Sequence, residues 1–213
     1  MKGKIPLYSY SDRELKKFES FVEKNFGAFD SVLHEIISPD IHLDVIVVPP
    51  TDVEPCYKLV TMGAGAYKMK TPKGCEKFSR AEYVIYLPRD WDISSSDEKY
   101  YWAIRQLKAI ARFPINADDW LGFGHTISAN EDSSPVAENT KLNSFVLLDA
   151  CSKDFNIVAP LKLSPFKSVN FYQVFPLYQE ELEFKLSHSL KELFDKFEAF
   201  DLVVDVNRNN CCL

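Results

Sequence analysis

The apolar residues of this chain follow helical and strand-like patterns that alternate along its length. Near the start, Ser11 and Glu14 form a capping-box pair, and apolar residues then recur at helical spacing as Leu15, Phe18, Val22 and Phe26. Gly27 follows at the position where a glycine often ends a helix. These features predict an amphipathic helix in this region.

A second helix is predicted after residue 97 by apolar residues at helical spacing, namely Tyr100, Ile104, Leu107 and Ala111. Ser95 and Glu98 form its capping box, and Pro114 predicts its end, because the residue before a proline is displaced from helical geometry. The following segment, Trp120–Thr126, is predicted as an unusual strand whose glycines indicate a bulge or a close approach of another backbone. A third helix is predicted over Glu180–Phe197 from leucine and phenylalanine on one face.

Strand-like runs rich in β-branched and aromatic residues fill much of the remaining chain. They are predicted over Ile41–Val48, Tyr57–Met62, Arg80–Leu87, Leu142–Leu148, Phe155–Leu163 and Ser168–Tyr178, with a final edge strand over Asp201–Val206. Many strands with three helices indicate an α/β fold of the α+β-like kind, with a mixed, mostly antiparallel sheet packed with a few α-helices. One domain is expected over residues 1–206, with a flexible C-terminal tail over 207–213.

Composition narrows the class of protein. The chain has 213 residues, 46% of them hydrophobic, which is enough for one domain with a sizeable core. Its net charge of −6 and the absence of a basic block disfavour a nucleic-acid-binding surface. No apolar run approaches the roughly 20 residues of a membrane helix, and the N-terminal residues show no signal-peptide pattern. We therefore expect a cytoplasmic protein whose five cysteines are free thiols.

The sequence contains no obvious active site. His42 and Asp44 are two residues apart on a predicted strand, so both side chains can reach one metal ion. Further ligands are not evident, and a hydrogen-bonded pair is the preferred interpretation. The Gly63–Gly65 stretch lacks the remaining residues of a phosphate-binding loop, which favours a tight turn after a strand.

Two alternatives to a non-catalytic protein stay open. A nucleophilic role for Cys75 or Cys151 needs a base nearby, and sequence spacing places none. A metal-dependent or histidine-based hydrolase would use His42, Asp44 or His125. The preferred expectation is a protein that is not an enzyme and needs no cofactor.

Six segments of the chain, in order, resemble the Suppressor of fused domain family. They are His42–Thr51, Leu59–Gly63, Arg80–Pro88, Trp102–Pro114, Trp120–Ile127 and Phe171–Glu181. The resemblance implies a mixed α/β domain without an established catalytic activity. The short, single-domain form is similar to the bacterial members of the family.

The resemblance also implies a protein or peptide partner. Animal members bind Gli-type transcription factors by clamping an extended peptide as an added strand between two domains, and this chain has room for the first domain only. The aromatic and acidic positions used around that peptide fall near Phe113 and Gly124, which lack the hydroxyl and the charge. Bacterial members have been proposed as immunity proteins that bind toxins. An acidic protein suits a basic toxin because complementary charge speeds the encounter.

We therefore expect a non-catalytic protein-binding module, of an immunity type that neutralises a toxin domain by occlusion. No nucleic acid, membrane or metal partner is expected, and an oligomeric scaffold is a further alternative. The expected surface lies beside the acidic loop Glu131–Asp132 and comprises Trp91, Tyr101, Phe113, Trp120, Phe123, Gly124 and His125. Packing of these residues into the core is the competing explanation.

Overall fold

The computed structural model describes residues 7–213. This part of the chain contains eight strands and four α-helices, joined by loops. The helices are α1 (Asp12–Asn25), α2 (Glu98–Ala117), α3 (Gln179–Ser187) and α4 (Leu190–Phe194). The strands are β1 (Ser31–Leu33), β2 (Asp44–Val48), β3 (Cys56–Met62), β4 (Ala81–Pro88), β5 (Thr126–Ser128), β6 (Ser144–Asp149), β7 (Leu161–Ser164) and β8 (Lys167–Leu177).

The strands form one mixed sheet in the order β1-β2-β3-β4-β8-β6-β5, with β7 paired to β8 outside this path. Strands β4 and β8 are parallel, and the other paired strands are antiparallel. This arrangement confirms the predicted fold class. It places β1 and β5, each three residues long, at the two edges of the sheet.

Helices cover both faces of the sheet. On one face, Trp102 and Leu107 of α2 pack against Ile85 and Phe145 of the sheet. On the other face, α1 packs through Phe18 and its neighbours, and α3 and α4 cover the end of the sheet that contains β6. Burying one large apolar side chain contributes roughly 1.5–3 kcal/mol to folding, so these two layers supply most of the stability.

Helix α1 confirms the first helix prediction in detail. The Ser11 N–H donates to Glu14 Oε2 at 3.0 Å, as in a capping box. Phe18 and Val22 are buried. Gly27 has a φ of +123°, so a residue without a side chain ends the helix.

Helix α2 is longer than predicted. It begins after Asp97, whose side chain caps it, and not at the predicted Ser95 capping box. The prediction that it ends before Pro114 is wrong, because the helix continues to residue 117. Pro114 lies in the last turn, so the helix continues for only three residues beyond it. Asp118 in the left-handed conformation then closes the helix by donating its N–H to the Pro114 carbonyl.

Three other predictions need correction. Most of Trp120–Thr126 is turn and extended chain, and the paired strand is β5. The predicted helix over Glu180–Phe197 is two helices, because Ser189 caps the start of α4 and interrupts the pattern. The segment Asp201–Val206 forms no strand, although it reaches the sheet through the Val204 N–H.

The C-terminal segment packs against α3, whereas the sequence predicts a flexible tail over residues 207–213. The guanidinium group of Arg208 makes two hydrogen bonds to the fully buried carboxylate of Glu181, each 2.5 Å. The Cys211 N–H donates to the same carboxylate at 3.1 Å. Charge pairing of Arg208 with a buried acid explains why this short polar segment is held in place. Within residues 7–213, no helix has the length and apolar character needed to cross a bilayer.

Candidate protein-binding site

Strand β5 is an edge strand whose outer side has no partner strand in the described structure. The His125 carbonyl, just before β5, accepts from the Leu147 N–H at 2.9 Å and marks the hydrogen-bonded register with β6. Because hydrogen-bonded positions alternate in an antiparallel pair, Ile127 directs its backbone groups towards β6. Thr126 and Ser128 therefore direct theirs outward. Outside the strand pairing, no hydrogen bond in residues 7–213 uses these outward groups.

A tight turn precedes β5 and contains the predicted bulge. The His125 N–H donates to the Gly122 carbonyl at 3.1 Å, which closes a four-residue turn. Gly124, the third residue of the turn, has a φ of +79°, the left-handed value that a type II turn requires. Its N–H donates to the Leu147 carbonyl at 2.7 Å, so Gly124 and His125 both oppose Leu147 as a G1-type bulge. The turn leaves Phe123 at its corner, 55% exposed.

A groove of about 340 Å³ runs between β5 and α2. Its lining residues are uncharged and include Ile110 and Phe113 of α2 and Ile127 of β5. At one end, the Gln106 side-chain amide donates to the Ala129 carbonyl at 3.1 Å. The groove therefore places apolar contacts beside the outward-facing backbone groups of β5.

Acidic residues follow both of the elements that form this groove. Asp118 and Asp119 follow the C-terminal end of α2, and Glu131 and Asp132 follow β5 at the other end. Of these residues, Asp118 is paired with Lys70. The carbonyl end of α2 adds further partial negative charge. These acidic groups favour a partner with basic groups at its ends.

The Trp120 side chain forms a packed corner next to β5. Its ring stacks on Phe78 with centroids 6.4 Å apart and meets the His125 ring edge-on at 4.4 Å. It also covers Gly122, where an added Cβ would lie 2.9 Å from the indole. Tyr172 lies beneath this corner, and burial raises its pKa to about 12, so its hydroxyl stays neutral. This packing fixes the turn from which Phe123 projects.

The structure divides the predicted surface residues into two groups. The group beside β5 consists of Phe113, Trp120, Phe123, Gly124 and His125. Trp91 is in the core, 8% exposed, with its indole N–H donating to the Tyr100 carbonyl at 3.1 Å. Tyr101 is in the first turn of α2 and does not line the groove. The surface proposed below therefore leaves out Trp91 and Tyr101.

At the opposite edge of the sheet, the structure adds His34 to the predicted pair of His42 and Asp44. Asp44 Oδ2 lies 3.0 Å from His34 Nδ1 and 3.5 Å from His42 Nε2. The Ser38 hydroxyl donates to Glu35 Oε2 at 2.9 Å and lies 3.0 Å from His42 Nδ1. Sequence spacing does not reveal His34, because the antiparallel pairing of β1 and β2 brings it to Asp44. Within residues 7–213, the side chains as placed form no group of three or more His, Cys, Asp or Glu around one metal position.

The Gly63–Gly65 loop encloses a carboxylate of the protein itself. Glu82 on β4 is fully buried and accepts from two backbone N–H groups of this loop at 2.9 Å. It also accepts from the hydroxyls of Tyr10 and Thr61 at 2.7 and 2.6 Å. Burial raises the pKa of Glu82 to about 7, although these donors favour the ionised form. The donors of the loop are thus used inside the fold, which agrees with the tight-turn interpretation.

The two cysteines considered as nucleophiles have no histidine base. No hydrogen bond in residues 7–213 joins the thiol of Cys75 or Cys151 to an imidazole. Burial raises the pKa of the Cys151 thiol, which lowers its thiolate fraction. The described geometry therefore gives neither residue the features of an activated nucleophile.

Comparison with known proteins identifies the family. The model of the Suppressor of fused protein (SUFU) family matches residues 39–209. The chain belongs to the Suppressor of fused protein family. Among curated protein sequences, none matches the chain significantly.

Solved structures share the fold. A SUFU homologue from Neisseria gonorrhoeae FA 1090 is 19% identical with a TM-score of 0.62, over 95% of this chain and 96% of that chain. A chain in the crystal structure of the Sufu–Fu complex is 14% identical with a TM-score of 0.65, over 93% of this chain and 92% of that chain. Drosophila Suppressor of Fused is 15% identical with a TM-score of 0.54, over 79% of this chain and 42% of that chain. At these identities the likeness concerns the fold alone.

Proposed function

We propose that this Suppressor of fused family member is a non-catalytic protein-binding module that takes up an extended segment of a partner at β5. The observation that carries this proposal is the pair of outward-facing backbone positions, Thr126 and Ser128, beside an uncharged groove. An added strand satisfies these backbone groups, and its alternate side chains enter the groove. The Sufu–Fu complex, which contains a chain of the same fold, is itself a protein–protein assembly.

The size of β5 indicates where affinity comes from. Two outward positions offer four backbone groups, and each hydrogen bond contributes about 0.5–1.5 kcal/mol net. Four such bonds together do not offset the entropy lost on association. Apolar contacts must supply the rest. Phe123 is the exposed aromatic anchor at one end, and Phe113 and Ile127 line the groove. Backbone pairing therefore sets the orientation of the partner, while these side chains supply most of the affinity.

Substitution of an outward-facing position tests strand addition. Ser128→Pro removes an N–H that does not pair with β6, and proline is tolerated on an exposed strand edge. Capture of the native partner should be lost while the melting temperature stays near that of the wild type. Ser128→Ala keeps the N–H and should capture the partner normally.

Hydrogen exchange locates the contact directly. The amides of Thr126 and Ser128 should gain protection when the partner binds, whereas the Ile127 amide is protected in both states. Wild-type capture by Ser128→Pro, with new protection confined to other elements, would contradict strand addition at β5.

We further propose that the partner is a toxin domain and that binding neutralises it by occlusion. The net charge of −6 and the acidic groups around the groove support a basic partner, because complementary charge speeds association. Co-expression with a toxin domain encoded next to this gene should restore growth, and Ser128→Pro should not. Failure of rescue, with strand addition of other partners intact, would remove the immunity role and leave the binding module.

A further inference from the structure

We propose that His34, His42 and Asp44 form a binding site for a divalent first-row transition metal, with Zn²⁺ as the representative ion. The site lies at the β1–β2 edge, at the other end of the sheet from β5. Its donor atoms are two imidazole nitrogens and one carboxylate oxygen. This donor set occurs in zinc sites that keep a fourth position open and in mononuclear iron sites.

Two of the three donor–donor distances are close to those in a metal site. Bonds of about 2.0–2.1 Å at tetrahedral angles place two ligand atoms roughly 3.3 Å apart. The observed distances from Asp44 Oδ2 are 3.0 Å to His34 Nδ1 and 3.5 Å to His42 Nε2. The set is not closed around one point in the present side-chain positions. The His34 side chain is 72% exposed, so its ring can rotate without unpacking the core.

Asp44 is the fixed part of the site. Its side chain is 6% exposed, and Oδ1 accepts from the Glu35 N–H at 2.8 Å, which directs Oδ2 towards the imidazoles. Its salt-bridge partners within residues 7–213 are the two histidines, neither of which carries a permanent charge. Burial of a carboxylate without a permanent cation is costly. A bound divalent ion supplies that positive charge.

Ser38 and Glu35 orient the His42 ring. Because the Ser38 hydroxyl donates its proton to Glu35, its oxygen is free to accept from His42 Nδ1–H. That tautomer of the neutral ring leaves the lone pair of Nε2 facing Asp44, where a metal can use it. Arg112 holds Glu35 through a 2.6 Å ion pair. Such outer partners commonly fix the ring orientation and tautomer of a metal-binding histidine.

Titration of the chelator-treated full chain with Zn²⁺ by calorimetry tests the site, with Mg²⁺ as a hard-cation comparison. We expect one Zn²⁺ per chain and no comparable Mg²⁺ binding, because imidazole suits zinc and not magnesium. His34→Ala and His42→Ala should each weaken Zn²⁺ binding at least tenfold. Ser38→Ala keeps all three donors and should weaken it by about 10–100-fold through the loss of orientation.

Matched variants elsewhere in the chain serve as controls. His125→Ala and His188→Ala remove histidines outside the cluster and should bind Zn²⁺ like the wild type. The neighbouring thiols of Cys211 and Cys212, 4.0 Å apart, are the competing soft-metal ligands, so the double serine variant should also bind normally. The visible absorption of bound Co²⁺ provides a second readout and should be lost in His42→Ala. Absence of saturable binding, or binding that depends on Cys211 and Cys212 and not on His34 and His42, would overturn the proposal.

Discussion

The two edge strands of the sheet are equally short but have different neighbours. Beside β5 lie uncharged groove residues and two outward-facing backbone positions, with Phe123 exposed at the corner. Beside β1 lie two histidines around the buried Asp44. Short edges limit unwanted sheet extension at both ends. The comparison shows that edge position alone does not define a site, since the loops next to each edge decide whether it suits a peptide or an ion.

Helix α2 connects the two edges through adjacent residues. Arg112 reaches the loop before β2 and pairs with Glu35 at 2.6 Å and Asp40 at 3.1 Å. Phe113, the next residue, lines the groove at β5. Successive positions on a helix point in different directions, so one turn of α2 supports both regions.

The largest expected effect separates inward from outward positions on β5. Ile127→Pro removes an N–H that pairs with β6 and should lower the free energy of unfolding by about 3 kcal/mol or more. Ser128→Pro, one residue away, should lower it by less than about 1 kcal/mol. Urea denaturation of both variants checks this difference. Equal losses would show that the assumed register at this edge is incorrect.

The next effect comes from Glu82, on central strand β4. Burial raises its pKa from 4.5 to about 7. Between these two pH values, the folded protein therefore keeps a proton on Glu82 that the unfolded chain releases. Its stabilising contribution is complete below pH 4.5 and is lost as the pH rises through about 7. We expect a fall of roughly 3 kcal/mol in the free energy of unfolding over that range.

Urea denaturation of three variants across this pH range tests whether Glu82, at the centre of the sheet, causes the pH dependence. Glu82→Gln should remove the slope, whereas His34→Ala and Ser128→Pro should keep it, because they alter the edges. A slope that persists in Glu82→Gln would assign the pH dependence to other groups.

A smaller effect is expected from the link between α2 and the β1 edge. Arg112→Met leaves two largely buried carboxylates without their cation and should cost about 2 kcal/mol, below the range for fully buried pairs. Arg89→Met removes an exposed pair with Asp52 and should cost less than about 1 kcal/mol. Thermal and urea unfolding of the two variants measures the difference.

If α2 couples the edges, Arg112→Met should also weaken partner capture at β5, and unchanged capture would show that the edges are independent.

The smallest effect on folding is expected at Phe123. Phe123→Ala removes an exposed ring and should change the free energy of unfolding by less than about 1 kcal/mol. Partner affinity should fall roughly tenfold or more, since the ring is the proposed anchor. Phe166→Ala, at the fully exposed tip of the β7–β8 hairpin, is the matched control and should bind normally. If the two variants bound the partner with equal affinity, Phe123 would not be the anchor of the interface.

Much of the fold follows from local patterns in the sequence. The caps and apolar spacing of α1 depend on residues within one or two turns, and they predict that helix correctly. The local rule fails at Pro114, because a proline disfavours a helix without forbidding it, and α2 runs three residues further before Asp118 closes it. The glycines before β5 indicate a bulge, and the structure contains one at Gly124.

The sequence by itself determined the fold class, the first helix and the bulge-forming segment, because short-range spacing and backbone preferences fix these features. Tertiary structure alone decided that β5 lies at an edge, that Trp91 is in the core, and that His34 joins His42 and Asp44. Each of these depends on the order and register of strands distant in the chain. No local pattern specifies strand order, because it is set by which faces can be buried together.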